Sequence, residues 1–503
     1  MGGASRSDTH AKPNPLPGPT PSAFLLTCKS FRAELLQILT EVCMDAFQRE
    51  LMRRSPLAGA VLEIYDFVFD DQLLNSIYDS HRGHCYEDKL VFTDFLRLMR
   101  DALLRHGGSA HKLFVQLETD DAEPIDESNF YRKLARTPVE VSRALLRECS
   151  GRLATLMPVS VATLPACFDG FEAIIGDGKR IKNAAKRLKP TRGYSGKLLG
   201  AKALVAVNLR SGMAVAMNDS LDGQTNDVPL VQGLMEQLHQ IIPQPMLSIW
   251  DRQFDDARTF RRLSARPGDA FVVRTHQSHS IVVESCVQTR DALGRQVLDE
   301  IVMMGRGAQA MRVRRITLLR GGPDEEDVAL MTNLLERGSF PAADLLELYR
   351  RRWGIEEVFQ QVTETFSLSH LIGSAPKAVL LQFAYCLLLY NLMQVIKAYV
   401  AEDGRVLASV VSMIYLFSDV REELAAWAYH AGDVVWPRQR RDAAAMRQRL
   451  AELLEGVWNP VAYTKASDKK RRGKPKKKLR LHGGHTSVQR LLEGKVKLVA
   501  AQN

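Results

Sequence analysis

Two short apolar segments of this 503-residue chain each end in an aspartate, and the pattern between them limits the possible folds. The run AIIG precedes Asp177, and the run LSIW precedes Asp251. Between them, residues 201–209 and 212–217 have the composition of two strands joined by a turn, and residues 228–242 have helical periodicity. An aspartate at or near the end of a buried strand lies where α/β sheets place functional groups.

The resulting order of elements is strand, strand, strand, helix, strand, which is that of a ribonuclease-H-like core. In such a core the first and fourth strands lie side by side, so we expect Asp177 and Asp251 to be close together. A third acidic residue, Glu356, would come from a later helix. The stretch between Asp251 and Glu356 is too long for one helix and a loop. It is predicted to form a helix at 254–263, strands at 270–275, 280–288, 296–304 and 311–319, and a last core strand at 328–334.

The segment YRRRWGIEE, residues 349–357, combines three kinds of side-chain chemistry. Read as one helix, it places Tyr349, Arg352 and Glu356 on neighbouring turns of one face. A carboxylate binds hard divalent cations and an arginine clamps phosphate, and the two together are typical of phosphodiester cutting and joining. Taken alone, the segment is equally well explained as a solvated, charged helix face.

Together these features resemble the DDE transposases of bacterial insertion sequences of the insertion-sequence-4 type. The resemblance extends over roughly residues 171–398. The family signature is tyrosine, two residues, arginine, three residues, glutamate, six residues and lysine. Tyr349, Arg352 and Glu356 fit it, whereas Thr363 stands at the lysine position. The Asp-Gly and Asp-Arg pairs found earlier in the chain match the other two family carboxylates.

The resemblance implies that Asp177, Asp251 and Glu356 are the catalytic residues and hold Mg²⁺ or Mn²⁺, with two ions per site. The protein would bind the terminal inverted repeats of a mobile element as double-stranded DNA. It would cut by hydrolysis and join the freed 3′-hydroxyl to target DNA, as a homodimer on paired ends in the cytoplasm of a prokaryote, associated with the nucleoid. Tyr349 and Arg352 would hold a phosphate near the cut.

Basic segments also suit a polyanionic partner, as does the net charge of +10. Near the predicted site, the candidate phosphate contacts are Arg350, Arg351, Lys179, Arg180 and Lys182. Residues 465–481 carry a dense basic run that is either a salt-sensitive, sequence-independent DNA contact or a solvated tail. Its predicted DNA contacts are Lys469, Lys470, Arg471, Arg472, Lys474, Lys476, Lys477 and Lys478. Arg350, Arg351 and Lys377 are the candidates to replace the lysine missing at Thr363.

The predicted architecture is mixed α/β (α+β), with a ribonuclease-H-like mixed sheet and a β-rich insertion. We expect a disordered tail at 1–22 and a mostly helical domain at 23–157, which is either a DNA-end-binding domain or a helical scaffold. A catalytic domain at 158–417 follows, with the insertion at about 265–325, and then a helical, basic region at 418–503. The seven scattered cysteines favour a reducing compartment over a disulfide framework.

Two classes of partner are not expected. The apolar run at 378–396 contains Gln382 and Asn391, which favours a buried core helix over a membrane span. The segment GDGK at 176–179 lacks the spacing of a phosphate-binding loop, so no nucleotide site is predicted.

Two alternative functions remain open. The first is a catalytically inactive or domesticated DNA-binding relative, which the threonine at position 363 favours. The second is a metal-dependent nuclease that cuts without joining.

Overall fold

A computed structural model describes residues 46–495 except 86–89, 120–125, 159–163, 183, 277–278, 292, 308–309, 320–325, 367, 369, 432–440 and 466–484. In that part of the chain, ten strands form one mixed sheet, and helices pack on both of its faces. The predicted mixed α/β class is thereby confirmed. The predicted disordered tail at 1–22 and the predicted DNA contacts at 469–478 fall outside the described residues, so both stay predictions.

Five strands form the centre of the sheet: β1 (Glu172–Lys182), β2 (Leu198–Asn208), β3 (Ala214–Ser220), β4 (Met246–Trp250) and β5 (Ala270–Thr275). They lie in the order β3-β2-β1-β4-β5. Strands β1, β2 and β3 are antiparallel neighbours, whereas β4 is parallel to β1 and β5 is parallel to β4. The first and fourth strands are therefore adjacent, as the order of elements predicted.

Four more strands continue the sheet beyond β5: β6 (Ile281–Arg290), β7 (Gln296–Met304), β8 (Met311–Leu318) and β9 (Val328–Thr332). All are antiparallel, in the order β9-β8-β7-β6. Here the structure differs from the prediction, which placed 270–275 in the insertion and 328–334 in the core. It is β5 that lies parallel to β4, and β9 pairs with β5 from outside. Both segments are short apolar runs, so composition did not decide between them.

From residue 46 onward, the described part of the chain before the sheet forms the helices α1 (Ala46–Arg54), α2 (Pro56–Val68), α3 (Asp71–His81), α4 (Phe92–Leu104), α5 (Ala110–Thr119), α6 (Glu127–Arg136) and α7 (Val139–Ala154). One face of the sheet is covered by α8 (Val231–Ile241) and α9 (Ala257–Leu263). The other face is covered by α7 and by α11 (Gly354–Glu364) and α12 (Pro376–Asp403), with α10 (Ala342–Arg350) just before them. The chain then forms α13 (Met413–Ala431), α14 (Ala443–Leu454), α15 (Pro460–Tyr463), the short strand β10 (Thr486–Ser487) beside β2, and α16 (Val488–Leu492).

Helix α12 is the one helix of the described residues that is long and apolar enough to cross a membrane, and 94% of its most apolar window is buried inside the protein. Its polar side chains are hydrogen-bonded in this interior. Asn391 Oδ1 accepts from Ala214 N at 2.9 Å, and Gln382 Oε1 accepts from Ile372 N at 2.8 Å. These contacts agree with the predicted core helix, because buried polar groups require partners of this kind.

Gly176 of β1 lies against the buried ring of Trp250 on β4. A Cβ atom at position 176 would stand 2.1 Å from that ring. Because the ring is fully buried, it has no room to move away. We expect Gly176→Ala to lower the free energy of unfolding by about 1–3 kcal/mol, as overpacked cores do.

Chemical denaturation followed by circular dichroism measures this loss. The matched control is Gly170→Ala, since a Cβ at the exposed Gly170 would meet no atom within 4 Å. A Gly176→Ala protein as stable as the control would mean that Trp250 does not depend on this glycine.

Candidate active site

Asp177 and Asp251 follow equivalent positions of the neighbouring parallel strands β1 and β4. The last pair of the β1–β4 ladder is Ile175 opposite Ile249, and each aspartate lies two residues further along the chain, Asp177 within β1 and Asp251 directly after the end of β4. Side chains alternate along a strand, so both aspartates lie on the face where Ile175 and Ile249 pack under α11 and α12. The structure thus brings these two predicted residues together.

The strand carrying Asp177 does not end there, contrary to the prediction from its apolar run. It continues to Lys182, because β2 remains paired with it as far as Lys182 opposite Leu199. The pairing with β4 stops at Ile175. Residues 176–182 therefore form an open edge of β1 on the β4 side, and Asp177 stands near the beginning of that edge.

The pKa of Asp177 is raised from its ordinary value of 3.8 to about 6. Burial is the largest cause, and the negative charges of Asp251 and Asp227 act in the same direction. The hydrogen bond from Gly178 N at 2.7 Å and the charge of Arg352 oppose the shift. Carboxylates this close repel one another when both are ionised, and a bound cation relieves that repulsion.

The helix predicted over residues 349–357 is interrupted. Helix α10 ends at Arg350, a 3₁₀ turn spans Arg351–Trp353, and α11 begins at Gly354, a weak helix former. Tyr349 and Arg352 nevertheless remain in contact, with the Arg352 guanidinium carbon 5.9 Å from the centre of the Tyr349 ring. The shared face that the sequence predicted therefore persists across a break that it did not predict.

Arg352 connects β1 with α11. Its Nη2 donates to Glu356 Oε1 at 3.0 Å, and its Nη1 lies 3.7 Å from Asp177 Oδ2. The residue is 6% exposed, and within the described residues its Nε is buried without a hydrogen-bond partner. A buried guanidinium with one unused donor is suited to holding an oxyanion beside the two carboxylates.

The third predicted carboxylate is not gathered with the other two. The side chain of Glu356 is 45% exposed and is ion-paired with Arg352. Within the residues that the structure describes, no group of three His, Cys, Asp or Glu side chains is placed to hold a metal ion. The donor chemistry of Asp177 and Asp251 fits a hard divalent cation, since carboxylate oxygens are its preferred ligands. Burial first, and then the charge of Asp251, raises the pKa of Asp177, and a cation held there would offset both effects. Glu356 would join the two aspartates by exchanging its Arg352 partner for the ion.

A buried ion pair under Asp177 was missed by the sequence analysis. Lys202 Nζ lies 2.6 Å from Asp227 Oδ1, and both side chains are about 5% exposed or less. Asp227 packs directly on Gly178, where a Cβ would stand 2.1 Å from its Oδ1. A single lysine within the apolar strand LLGAKALVAVN was the signal available for this pair. The contact explains why a glycine follows Asp177.

The predicted phosphate contacts divide into two groups. On β1, Lys179 Nζ donates to Phe359 O of α11 at 3.3 Å, whereas Arg180 and Lys182 are exposed. In α10 and the 3₁₀ turn, both Arg350 and Arg351 pair with the same residue, Glu347, at 3.0 and 3.6 Å. The first group borders the open edge of β1.

Tyr349 has a charged environment that includes a residue absent from the predictions. Burial, the largest cause, raises the pKa of Tyr349, and the charges of Arg352 and Arg274 of β5 oppose that effect. Asp251 also acts on it. Tyr349 is therefore a protonated hydrogen-bond donor at neutral pH, close to the acidic pair.

Comparison with protein families identifies one domain. Residues 169–392 match the family described as transposase DDE domain. This segment contains all three predicted carboxylates together with Tyr349 and Arg352. It is therefore similar to the catalytic domains of DDE transposases, and the predicted resemblance is supported at that level; the insertion-sequence-4 type stays a prediction.

Comparison with solved structures gives a weak similarity to the piggyBac transposase, in a cryo-EM structure of its synaptic complex with hairpin DNA. The two sequences are 12% identical, and the TM-score is 0.38. The match covers 79% of this chain and 85% of that chain. A search of curated proteins gave no match.

Proposed function

We propose that this protein is a transposase of the insertion-sequence-4 type, which cuts the ends of a mobile DNA element and joins them to target DNA. The observation that carries the proposal is the adjacent placement of Asp177 and Asp251, with Arg352 linking Asp177 to Glu356. The match of residues 169–392 to transposase DDE domains supports the same reaction class.

The carboxylates Asp177, Asp251 and Glu356 would hold Mg²⁺ or Mn²⁺. Such ions would activate the attacking oxygen and stabilise the leaving oxygen of an in-line displacement. Burial, and with it the charge of Asp251, already raises the pKa of Asp177, so a bound cation would stabilise the ionised side chain. In this proposal, water first cuts the strand at the element end, and the 3′-hydroxyl so formed then attacks a phosphodiester of the target.

Arg352 and Tyr349 would position the phosphate at the cut. The planar guanidinium can give two hydrogen bonds to a phosphate, and its buried Nε has no partner within the described residues. Tyr349 would donate one hydrogen bond, because its raised pKa keeps the phenol protonated. Both residues flank the acidic pair, so a phosphate held by them would lie within reach of the carboxylates.

Double-stranded DNA would be bound as paired element ends by a homodimer. Two ends must be cut and joined in one coordinated event, which requires two active sites held together in one complex. The exposed edge strand β6 and the helices after Phe417 are the surfaces we propose for contact between protomers.

The test is an assay with DNA from the two flanks of the coding region and a supercoiled plasmid as target. Added Mg²⁺ or Mn²⁺ is expected to give nicks that expose a 3′-hydroxyl and then plasmid molecules joined to the element end. EDTA should abolish both products. Cutting without joined plasmid would favour a nuclease. A band shift without any cutting would favour an inactive DNA-binding relative, which is the alternative that Thr363 at the lysine position of the signature favours.

A further inference from the structure

A cavity of 540 Å³ follows the open edge of β1 beside Asp177. It exists because β1 continues beyond its last pair with β4, and no strand of the described residues pairs with 176–182 on that side. Its lining includes Asp177, Lys179, Lys182, Lys202, Gln253 and Thr363. The cavity therefore joins Asp177 to the face of α11 that carries position 363.

Lys179 and Thr363 meet at one backbone atom. Thr363 Oγ1 donates to Phe359 O at 2.6 Å, and Lys179 Nζ donates to the same oxygen at 3.3 Å. The Lys179 ammonium also lies 5.3 Å from the centre of the Phe359 ring. A cation delivered by β1 thus lies at the same backbone oxygen of α11 as the side chain of position 363.

The charges of this cavity favour an anion. Lys202 is paired with Asp227 at 2.6 Å, whereas Lys179 and Lys182, on the same strand as Asp177, have no such ion pair within the described residues. An ammonium group has three donors, and Phe359 O takes one of those of Lys179. The hydroxyl of Thr363 is used within its own helix, so Lys179 is the stronger donor at this position.

We propose that this cavity binds a DNA backbone phosphate next to the scissile bond, and that Lys179 supplies the cation that α11 lacks at Thr363. The proposal rests on the proposed function, because it assumes that DNA lies across the acidic pair. If the proposal is correct, Lys179 compensates for the threonine at position 363, and Thr363 does not indicate a loss of activity. The proposal also predicts that the cation can be moved from β1 to α11 without loss.

The experiment is a rescue series measured by the binding of element-end DNA, with cleavage as a second readout. Lys179→Met removes the charge but keeps the aliphatic stem against the Phe359 ring, and it is expected to weaken binding roughly tenfold or more. Adding Thr363→Lys to that variant should restore binding to within about threefold of the natural protein. Gln361→Lys added in place of Thr363→Lys should not restore it, since two residues turn a helix by about 200°.

A modified DNA identifies the ligand as a phosphate. Neutral methylphosphonate replaces one backbone phosphate at a time around the cut. One position should weaken binding to the natural protein and to the double variant, but have no effect on Lys179→Met. Lys495→Ala, which removes one exposed charge far along the chain, is the control for net charge.

The outcomes separate the two proposals. If the natural protein does not bind or cut the end DNA, the proposed function fails. If it does so and Thr363→Lys fails to rescue Lys179→Met, or no single phosphate loses its effect in Lys179→Met, the assignment of Lys179 is wrong. Thermal unfolding of each variant within a few degrees of the natural protein shows that folding is not the cause.

Discussion

Cleavage of element-end DNA is expected to fall by about a thousandfold or more when Asp177 is replaced by Asn, and likewise when Glu356 is replaced by Gln. Each change keeps the shape of the side chain and removes the negative charge that would hold a divalent cation. DNA binding should stay within about threefold, because neither carboxylate attracts the phosphate backbone. Single-turnover cleavage and fluorescence anisotropy with the same duplex measure the two effects separately.

The matched control is Glu357→Gln, one residue along α11. Glu357 is 62% exposed and pairs with Lys465 at 3.3 Å, on a different side of the helix from Arg352. Its variant should cut at nearly the natural rate. If Glu356→Gln and Glu357→Gln cut at comparable rates, Glu356 is not a catalytic residue. Its role would then be limited to the ion pair with Arg352.

The sequence predicted the part of the site that follows from topology. The order of strands and helix makes β1 and β4 neighbours, and the alternation of apolar residues sets both aspartates on one face of the sheet. The order of the strands and the alternation of side chains are therefore sufficient to predict that Asp177 and Asp251 lie near each other. The same reasoning explains the glycines at 176 and 178, which lie on the opposite face against Trp250 and Asp227.

The contacts that the sequence did not predict depend on tertiary distances. The 3₁₀ turn at Arg351–Trp353 interrupts a segment whose periodicity is helical throughout. Lys179 reaches Phe359 across 180 positions of sequence, and Lys202 meets Asp227 from another strand. The exchange of β5 and β9 has a similar origin, since two apolar runs of similar length compete for one edge of β4. In each case local pattern permits several partners, and packing selects one.

The last expected result is that Asp177→Asn stabilises the metal-free protein at neutral pH while it abolishes cleavage. The pKa of Asp177 in the folded protein is about 6, above its ordinary value of 3.8, so the folded state binds this proton more tightly than the unfolded state. Ionised Asp177 therefore costs stability above about pH 6, on the order of 2–3 kcal/mol, and the cost disappears as the pH falls from 6 towards 4. Asparagine carries no charge and still accepts the hydrogen bond from Gly178 N.

Thermal unfolding in EDTA at pH 7.5 and pH 4.5 measures this cost. The variant should unfold at a higher temperature than the natural protein at pH 7.5. The difference should shrink to about a third at pH 4.5, because a carboxyl with the ordinary pKa of 3.8 is still mostly ionised in the unfolded chain at that pH. Mg²⁺ should raise the unfolding temperature of the natural protein more than that of the variant, since bound cation relieves the same repulsion. Asp222→Asn is the control of opposite sign: burial opposes ionisation there, but hydrogen bonds from Gln224 N and Arg490 outweigh it and lower the pKa of Asp222. That variant should be less stable at pH 7.5. If Asp177→Asn is destabilised as much as Asp222→Asn, Asp177 is a structural residue. Carboxylates that serve to bind a cation are expected to lower the stability of the folded protein when the cation is absent.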